Sequence, residues 1–291
     1  MIERIRNLNN RLSSYNKLPD KTDIDRLPLH VIKRHSYYDS KHFVVLGVHH
    51  RTEPLDAQFK SIKKEFRAWL KKTEGTKRML IVEGRIPVSS DDEDSSIRTE
   101  RGEAGLLAFW AKEYTIPIIS GEPQPQWSEA NDVARLFDKD EEVRSKDVTG
   151  KEITAYYYLA RHISQWHRIP QGKRGDINTY IKQTINLYLQ AWQWHDFEFF
   201  YEDFLRVHEK LYNSQLDLMD NNFFLEQTVN FKQGKTPVQR VAQAVNDLRD
   251  KNLANLYAKY WNRNISVFSL FGMPHTLRIA GILNTFGLTD D

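Results

Sequence analysis

The fold is decided by one short stretch of sequence, Phe43-Val-Val-Leu-Gly-Val-His-His50. Its apolar run lies between polar segments, a pattern that predicts a buried strand, central in a sheet. Gly47 is expected to let the chain turn sharply after the strand, because glycine adopts conformations that other residues avoid. His50 would then lie at the carboxyl end of the strand and before a helix, where open α/β sheets bind their ligands.

The same pattern returns near the other end of the chain. The apolar run Ile265-Ser-Val-Phe-Ser-Leu-Phe271 is followed by Gly272-Met-Pro-His275. Each segment predicts a strand that leads through a Gly-x-x-His element into a helix. A single histidine after a strand is usually structural. His49 alternates to the side opposite His50, and we expect it to be structural or to support a ligating residue from behind. Two such elements in equivalent settings are the main indication of function.

Two further apolar runs predict strands between these elements. Met79-Leu-Ile-Val82 ends at Glu83-Gly84, and Ile116-Pro-Ile-Ile119 is followed by Gly121-Glu122. A helix is predicted before the first of them by apolar residues that recur every three to four positions: Leu55, Phe59, Ile62, Phe66 and Leu70. This strand–helix–strand order predicts parallel neighbouring strands joined by a right-handed crossover. We therefore expect an α/β fold, with a mainly parallel sheet of βαβ units completed by the C-terminal strand.

The composition along the chain predicts three parts. Residues 1–40 indicate an N-terminal amphipathic helix and a linker, and residues 41–126 with 235–291 indicate the α/β catalytic core. Residues 127–234 are rich in aromatic side chains at mostly helical spacing, which is typical of a helical insertion or cap whose aromatics form a core. The acidic run at residues 89–96 is expected to be solvated surface.

Composition also limits the classes of protein. With 28% charged residues and a mean hydropathy of −0.64, the chain is expected to be soluble, and its apolar runs are shorter than the ~18 residues of a membrane helix. It has no cysteine, so a metal would need histidine, carboxylate or water ligands. The net charge of +3 is small for 291 residues, which makes nucleic acid an unlikely partner. We expect a cytoplasmic protein that does not bind membranes.

The predicted strand ends would bring His50, Glu83, Glu122 and His275 together at one edge of the sheet. Two imidazoles with one or two carboxylates suit Mn²⁺, Co²⁺, Zn²⁺ or Fe²⁺, and we predict His50, His275 and Glu83 as the metal ligands. A bound metal could lower the pKa of a water while a carboxylate moves its proton. Without a metal, the same side chains could act as general base and acid.

An arginine is also a candidate for this site. Arg249 lies in the helical segment Asn246-Asp-Leu-Arg249-Asp250, before the last strand. Near the rim of the apolar face of that helix, its guanidinium could clamp a carboxylate ligand or stabilise an oxyanion. Alternatively, Arg249 is an ordinary charged residue on the surface of the helix.

The order of these motifs resembles the TraB/Tiki family, within a broader grouping with erythromycin esterase-like and ChaN-like proteins. The resemblance covers about residues 42–122 and 236–287. Its elements are Gly47-Val-His-His50, the strand-terminal Glu83, the segment Asn246–Ala254 and Gly272-Met-Pro-His275. The esterase-like branch has an acid directly after the first glycine, where this chain has Val48.

The resemblance implies an α/β core with a helical insertion. Resemblance to Tiki-like members implies metal-dependent peptidase activity, and resemblance to the esterase-like branch implies hydrolysis of an ester. Resemblance to ChaN-like members instead implies haem or iron binding. The functional residues of the family map onto His50, Glu83, Arg249 and His275. We therefore predict a metal-dependent hydrolase of a peptide, ester or other small molecule, with Glu83, Arg249 and Glu122 as catalytic residues.

Two alternatives stay open at this point. The same pocket could belong to a non-catalytic protein that binds haem, iron or a small ligand. The aromatic helical region, with Lys173 and Arg174, could instead bind a partner protein or a nucleic acid.

Overall fold

The chain folds into two compact units, Met1–Glu122 with Arg249–Asp291, and Pro123–Leu248. The computed structural model describes residues 18, 30–35, 41–99, 102–124, 128–229, 234–285 and 289–290. The amphipathic helix predicted from Ile2, Ile5, Leu8 and Leu12 lies outside these residues. Where the sequence predicted a linker up to residue 40, residues 30–35 form a strand, because their backbone pairs with the first predicted strand.

The first unit is built around one six-stranded sheet within the described ranges. Its strands are β1 (His30–His35), β2 (His42–Val48), β3 (Arg78–Val82), β4 (Ile118–Ser120), β5 (Ser266–Gly272) and β6 (Thr289–Asp290). The spatial order is β4-β3-β5-β2-β1-β6. β2, β3, β4 and β5 are parallel, whereas β1 and β6 are antiparallel edge strands. The predicted α/β fold with a mainly parallel sheet is confirmed.

The last long strand lies in the middle of the sheet. β5 pairs with β2 on one side and with β3 on the other, so Leu270 lies beside both Leu46 and Val82. The prediction that β2 and β3 are direct neighbours is therefore wrong. Every residue of β2 and β5 is buried, as an interior position in a parallel sheet requires. The local pattern identifies such strands without giving their order.

Gly47 does not turn the chain. It lies within β2 and pairs with Phe271 of β5 and His30 of β1, so the predicted sharp turn at this residue is wrong. Gly47 has extended backbone neighbours on both sides, and the strand continues to Val48. The chain leaves the sheet only at His49.

Eleven α-helices occur in the described ranges. They are α1 (Ala57–Lys72), α2 (Glu93–Thr99), α3 (Glu103–Glu113), α4 (Glu129–Phe137), α5 (Glu141–Ser145), α6 (Gly150–Trp166), α7 (Ile177–Trp192), α8 (Tyr201–Tyr212), α9 (Asn221–Thr228), α10 (Pro237–Asn262) and α11 (Met273–Thr285). The division between the two units falls within α10. None of the described helices combines the length and the apolar content that crossing a bilayer requires.

Helix α1 shows how the sequence sets its own boundaries. The Asp56 carboxylate accepts the N–H of Gln58 and so caps the first turn. The side chains of α1 that become buried recur at helical spacing: Phe59, Ile62, Phe66 and Trp69. Leu55, which the apolar pattern included, lies before the cap and is exposed. Its place in the apolar stripe of this helix was therefore predicted wrongly.

The two faces of the sheet carry separate apolar cores. Val44 and Leu46 pack in one cluster with side chains of α1 and α3, while Phe43 and Val45 pack in the other with side chains of α10 and α11. This alternation follows from the two-residue period of a strand. Fully burying each large apolar side chain contributes roughly 1.5–3 kcal/mol. Packing on both faces therefore holds the strands, and with them the residues at the strand ends, in place.

The acidic run is partly structural rather than only solvated. The Asp92 carboxylate accepts the N–H of Ser95 at the start of α2. Glu93 accepts the indole N–H of Trp110 at 2.9 Å and pairs with Lys63 at 2.5 Å. The run thus begins a helix and connects it to α1 and α3.

The second unit is helical, and its aromatic side chains form its core. Tyr156, Tyr158, Trp192 and Phe204 are all buried in one cluster. Arg174, a residue of the nucleic-acid alternative, donates to the carbonyl groups of residues 167 and 169 and lies over the ring of Trp166. Its guanidinium therefore holds the local turn, and the buried aromatics offer no stacking surface to bases.

Candidate functional site

The predicted strand-end residues lie at one edge of the sheet in the first unit. Glu83 directly follows β3, and His50 and Glu122 each follow their strands by two residues. His275 is the third residue of α11, which begins where β5 ends. Because these four strands are parallel, their carboxyl ends meet at the same edge. The structure brings all four side chains into one network, joined by Arg249.

Glu83 is the centre of this network. Its Oε2 atom accepts the backbone N–H of Gly272 at 2.5 Å, and its Oε1 atom accepts Nη2 of Arg249 at 3.0 Å. The Nε2 atom of His50 lies 3.9 Å from Oε2. The Nε2 atom of His275 lies 3.6 Å from Oε1. The two imidazoles therefore face opposite oxygens of one carboxylate.

The glycine of the second Gly-x-x-His element is needed for close approach. A Cβ atom on Gly272 would lie 2.8 Å from Oε2 of Glu83 and 3.7 Å from Cδ2 of His275. Any side chain at residue 272 would therefore push the Glu83 carboxylate away from the backbone N–H that holds it. This is the role that the sequence predicted for glycines beside a site.

Arg249 forms a two-pronged ion pair with Glu122. Nε donates to Oε2 at 2.6 Å and Nη2 donates to Oε1 at 2.5 Å, while the N–H of Gly84 also donates to Oε1 at 3.2 Å. Burial by itself would raise the pKa of Glu122, but the charge and hydrogen bonds of Arg249 lower it. Arg249 is thus a buried ion-pair partner of two carboxylates rather than a surface charge.

The Glu83 carboxylate is ionised at neutral pH. Burial alone would raise its pKa, but His275, Arg249 and His50, together with the N–H of Gly272, lower it to about 2. The ionised carboxylate of Glu83 is thus stabilised by the cationic side chains around it and by a backbone N–H.

Two carboxylates that the sequence did not single out complete the site. Nδ1 of His50 is hydrogen-bonded to Glu103, the first residue of α3. Nδ1 of His275 is 2.5 Å from Oδ1 of Asp250. A sequence signal existed for each: Glu103 is a charge directly before the uncharged run 104–111 of its helix, and Asp250 is the neighbour of Arg249.

The two histidines differ in exposure. The imidazole of His50 is 69% exposed, whereas that of His275 is 12% exposed. The pKa of His50 is raised to about 9, and the hydrogen bond to Glu103 is the largest cause. The negative charge of Glu83 raises the pKa further, whereas the partial loss of solvent around the ring opposes the rise. In the absence of a metal, His50 therefore carries a proton at neutral pH.

The loop that carries His50 is held from α1. The side-chain amide of Gln58 accepts the N–H of His49 and donates to its carbonyl group, both at 2.7 Å. His49 is thus held through its backbone.

The donor set fits a divalent cation in its chemistry. Counted formally, four carboxylates (Glu83, Glu103, Glu122 and Asp250) face two guanidinium groups (Arg249 and Arg278), which leaves a charge of −2 before the imidazoles are included. Two protonated imidazoles, or one divalent cation with neutral imidazoles, would balance this charge. No described group of three or more histidine and acidic side chains is preassembled as a cation site.

The distances show how far the donors are from metal geometry. Two ligands with bonds of about 2.1 Å to a tetrahedral metal lie roughly 3.4 Å apart. The imidazole–carboxylate distances of 3.6 and 3.9 Å exceed this by a few tenths of an ångström. A metal held by these three residues would therefore require both rings to move toward Glu83.

Known proteins give no direct guide to this site. Comparison with protein-family models, with curated proteins and with solved structures gives no match for this chain. The resemblance to the TraB/Tiki family, carried by four short elements, stays a prediction.

Proposed function

We propose that this protein is a metal-dependent hydrolase, peptidase- or esterase-like, that acts on a peptide, an ester or another small molecule. One observation carries the proposal: the Nε2 atoms of His50 and His275 face opposite oxygens of the ionised Glu83 carboxylate. His50, His275 and Glu83 would hold the metal, which is Mn²⁺, Co²⁺, Zn²⁺ or Fe²⁺ by the preferences of these donors.

The chemistry assigned to each residue follows from its contacts. A metal bound here would lower the pKa of a water and polarise the bond to be cleaved. Arg249 keeps Glu83 and Glu122 ionised and in place, and its charge reduces the cost of negative charge that develops nearby. Because its Nε and Nη2 atoms already donate to carboxylates, this contribution is electrostatic. Glu122, which Arg249 holds beside Glu83, would accept the proton from water.

The exposure of His50 favours a second candidate function. An accessible imidazole is the ligand that haem iron takes in many proteins, and the His50 ring is 69% exposed. A non-catalytic protein that binds haem, iron or another small ligand would use the same pocket. For either function we propose a cytoplasmic location, since a chain without cysteine needs no oxidising compartment.

Metal analysis of the purified protein tests the proposal. Wild type would be compared with His50→Ala/His275→Ala and with Glu93→Gln, a carboxylate variant of the same unit whose contacts lie away from the site. We expect near-stoichiometric metal in wild type and in Glu93→Gln, with loss in the double variant. Metal-dependent cleavage of chromogenic esters or peptides should follow the same order.

The contrary outcomes are distinct. If wild type holds no metal after incubation with Mn²⁺, Co²⁺, Zn²⁺ and Fe²⁺, the metal-dependent hydrolase is excluded. A haem absorbance band that disappears in His50→Ala would then support the second candidate.

A further inference from the structure

Each imidazole of the site is held from behind by a buried carboxylate. Glu103 bonds to Nδ1 of His50, and Asp250 bonds to Nδ1 of His275. Both acids are almost fully buried, at 4% and 1% exposure. With a carboxylate oxygen as the acceptor, each of these hydrogen bonds places a proton on Nδ1 of its ring. The two Nε2 atoms are thereby left on the side of Glu83.

Asp250 also connects two turns of α11. Its Oδ1 atom contacts His275, and its Oδ2 atom is bonded to Arg278, which is buried and one helical turn further along. The buried guanidinium of Arg278 holds Oδ2 and so fixes the orientation of the carboxylate. The Asp250 carboxylate is therefore held by Arg278 in the orientation in which it contacts the ring of His275.

We propose that Glu103 and Asp250 are positioning residues that orient both imidazoles, so that each presents Nε2 toward Glu83. This inference rests on the proposed metal-dependent function. In metal sites, the partner of the second ring nitrogen sets the tautomer and orientation of a ligating histidine, and its loss typically costs 10–100-fold in metal affinity.

The two residues should contribute unequally. The χ2 torsion of histidine is broad, so an imidazole with little packing depends on its hydrogen bond for orientation. The His50 ring is 69% exposed and relies on Glu103. The His275 ring is 12% exposed and also packs edge-on against Phe271, with ring centroids 6.1 Å apart. Loss of Glu103 should therefore weaken metal binding more than loss of Asp250.

Titration with Co²⁺ tests this directly. We expect Glu103→Ala to weaken Co²⁺ binding by about 10–100-fold and Asp250→Ala by less. Glu103→Gln and Asp250→Asn should recover part of the affinity, because an amide oxygen still accepts the Nδ1–H. Glu93→Gln, which removes a hydrogen-bonded carboxylate elsewhere in the unit, should bind as wild type does. If Glu103 and Asp250 had only a structural role, their variants would change thermal stability, but the Gln and Asn variants would not recover Co²⁺ affinity.

A measurement on the metal-free protein keeps the inference testable if an Asp250 variant does not fold. Nitrogen-15 spectra of histidine-labelled wild type should show a protonated, slowly exchanging Nδ1 for His275, and Glu103→Ala should alter only the His50 signals. Unprotonated Nδ1 in wild type, or unchanged Co²⁺ affinity in both alanine variants, would overturn the positioning role. Protonated Nδ1 without any Co²⁺ binding would instead reject the proposed metal-dependent function and leave the orientation of the rings standing.

Discussion

Arg249 and Asp250 are consecutive residues of α10 whose side chains hold different parts of one site. Arg249 donates to Glu83 and Glu122, whereas Asp250 bonds to His275 and Arg278. One helix segment therefore orients acids from two strand ends and an imidazole from α11. The site is consequently sensitive to changes at residues that would not themselves contact a substrate.

The first prediction concerns the Arg249 ion pairs. Arg249→Met would leave two buried carboxylates without their counter-charge, and breaking a buried pair by removing one partner costs about 3–5 kcal/mol. We expect the free energy of unfolding in urea to fall by this amount.

The matched control is Arg98→Met. Arg98 forms a two-pronged pair with Glu53 of similar geometry, but both side chains are more than half exposed. Its loss should cost about 0–1 kcal/mol. Equal losses of unfolding free energy in the two variants would show that burial does not make the Arg249 ion pairs more important for stability than an exposed pair.

The second prediction concerns Gly272. In Gly272→Ala the new Cβ atom would meet Oε2 of Glu83 at 2.8 Å, so the carboxylate must move. We expect at least a tenfold loss of Co²⁺ affinity, as for loss of a residue that orients a ligand. Gly172→Ala is the control, since nothing lies within 4 Å of the Cβ position there. Unchanged affinity in Gly272→Ala would show that the close approach is dispensable.

The third prediction is a pH dependence that originates in the helical unit. Burial lowers the pKa of His162 and of His208 to about 4, from an ordinary value of 6.5. His208 is buried against the hydroxyl of Tyr156, and His162 is hydrogen-bonded to that of Tyr180. Between pH 6.5 and 4 the unfolded chain binds protons that the folded chain does not, so stability falls as pH falls through this window.

Urea unfolding at pH 7, 5.5 and 4.5 would measure this effect. A full difference in protonation corresponds to about 1.4 kcal/mol per histidine for each pH unit in the window. His162→Gln/His208→Gln should flatten the dependence between pH 6.5 and 4.5, where the carboxylates with lowered pKa values still keep their contribution. If the free energy of unfolding of the double variant changes with pH as steeply as that of wild type, the pH dependence originates in other groups.

The fourth prediction concerns the core between α1, α3 and the sheet. The ring of Phe66 stacks on Trp110, with centroids 3.9 Å apart, and meets Phe268 of β5 edge-on at 5.2 Å. Phe66→Ala should cost about 3–5 kcal/mol in the free energy of unfolding, because it removes buried area and leaves a cavity. Leu136→Ala, at an exposed side chain, should stay within about 0.5 kcal/mol. A small cost at Phe66 would indicate that this core collapses around the change.

The candidate site was predicted from the sequence only in part. His50, Glu83, Glu122 and His275 each follow a local apolar run, and the parallel arrangement of the strands made their convergence predictable. Glu103 and Asp250 were missed as site residues, because the local pattern marks them only as charges on helices. Gly47 was given the wrong role, because the pattern does not show where strand pairing stops.

The sequence by itself determined which segments form the four parallel strands and which residues stand at their ends, because each of these strands contains an apolar run that stops close to a polar side chain. Only the tertiary structure decided that β5 lies between β2 and β3, that Glu103 holds His50, and that Arg249 reaches Glu83. The last two contacts join residues 53 and 166 positions apart. Their formation depends on how whole elements pack, and no local pattern records that packing.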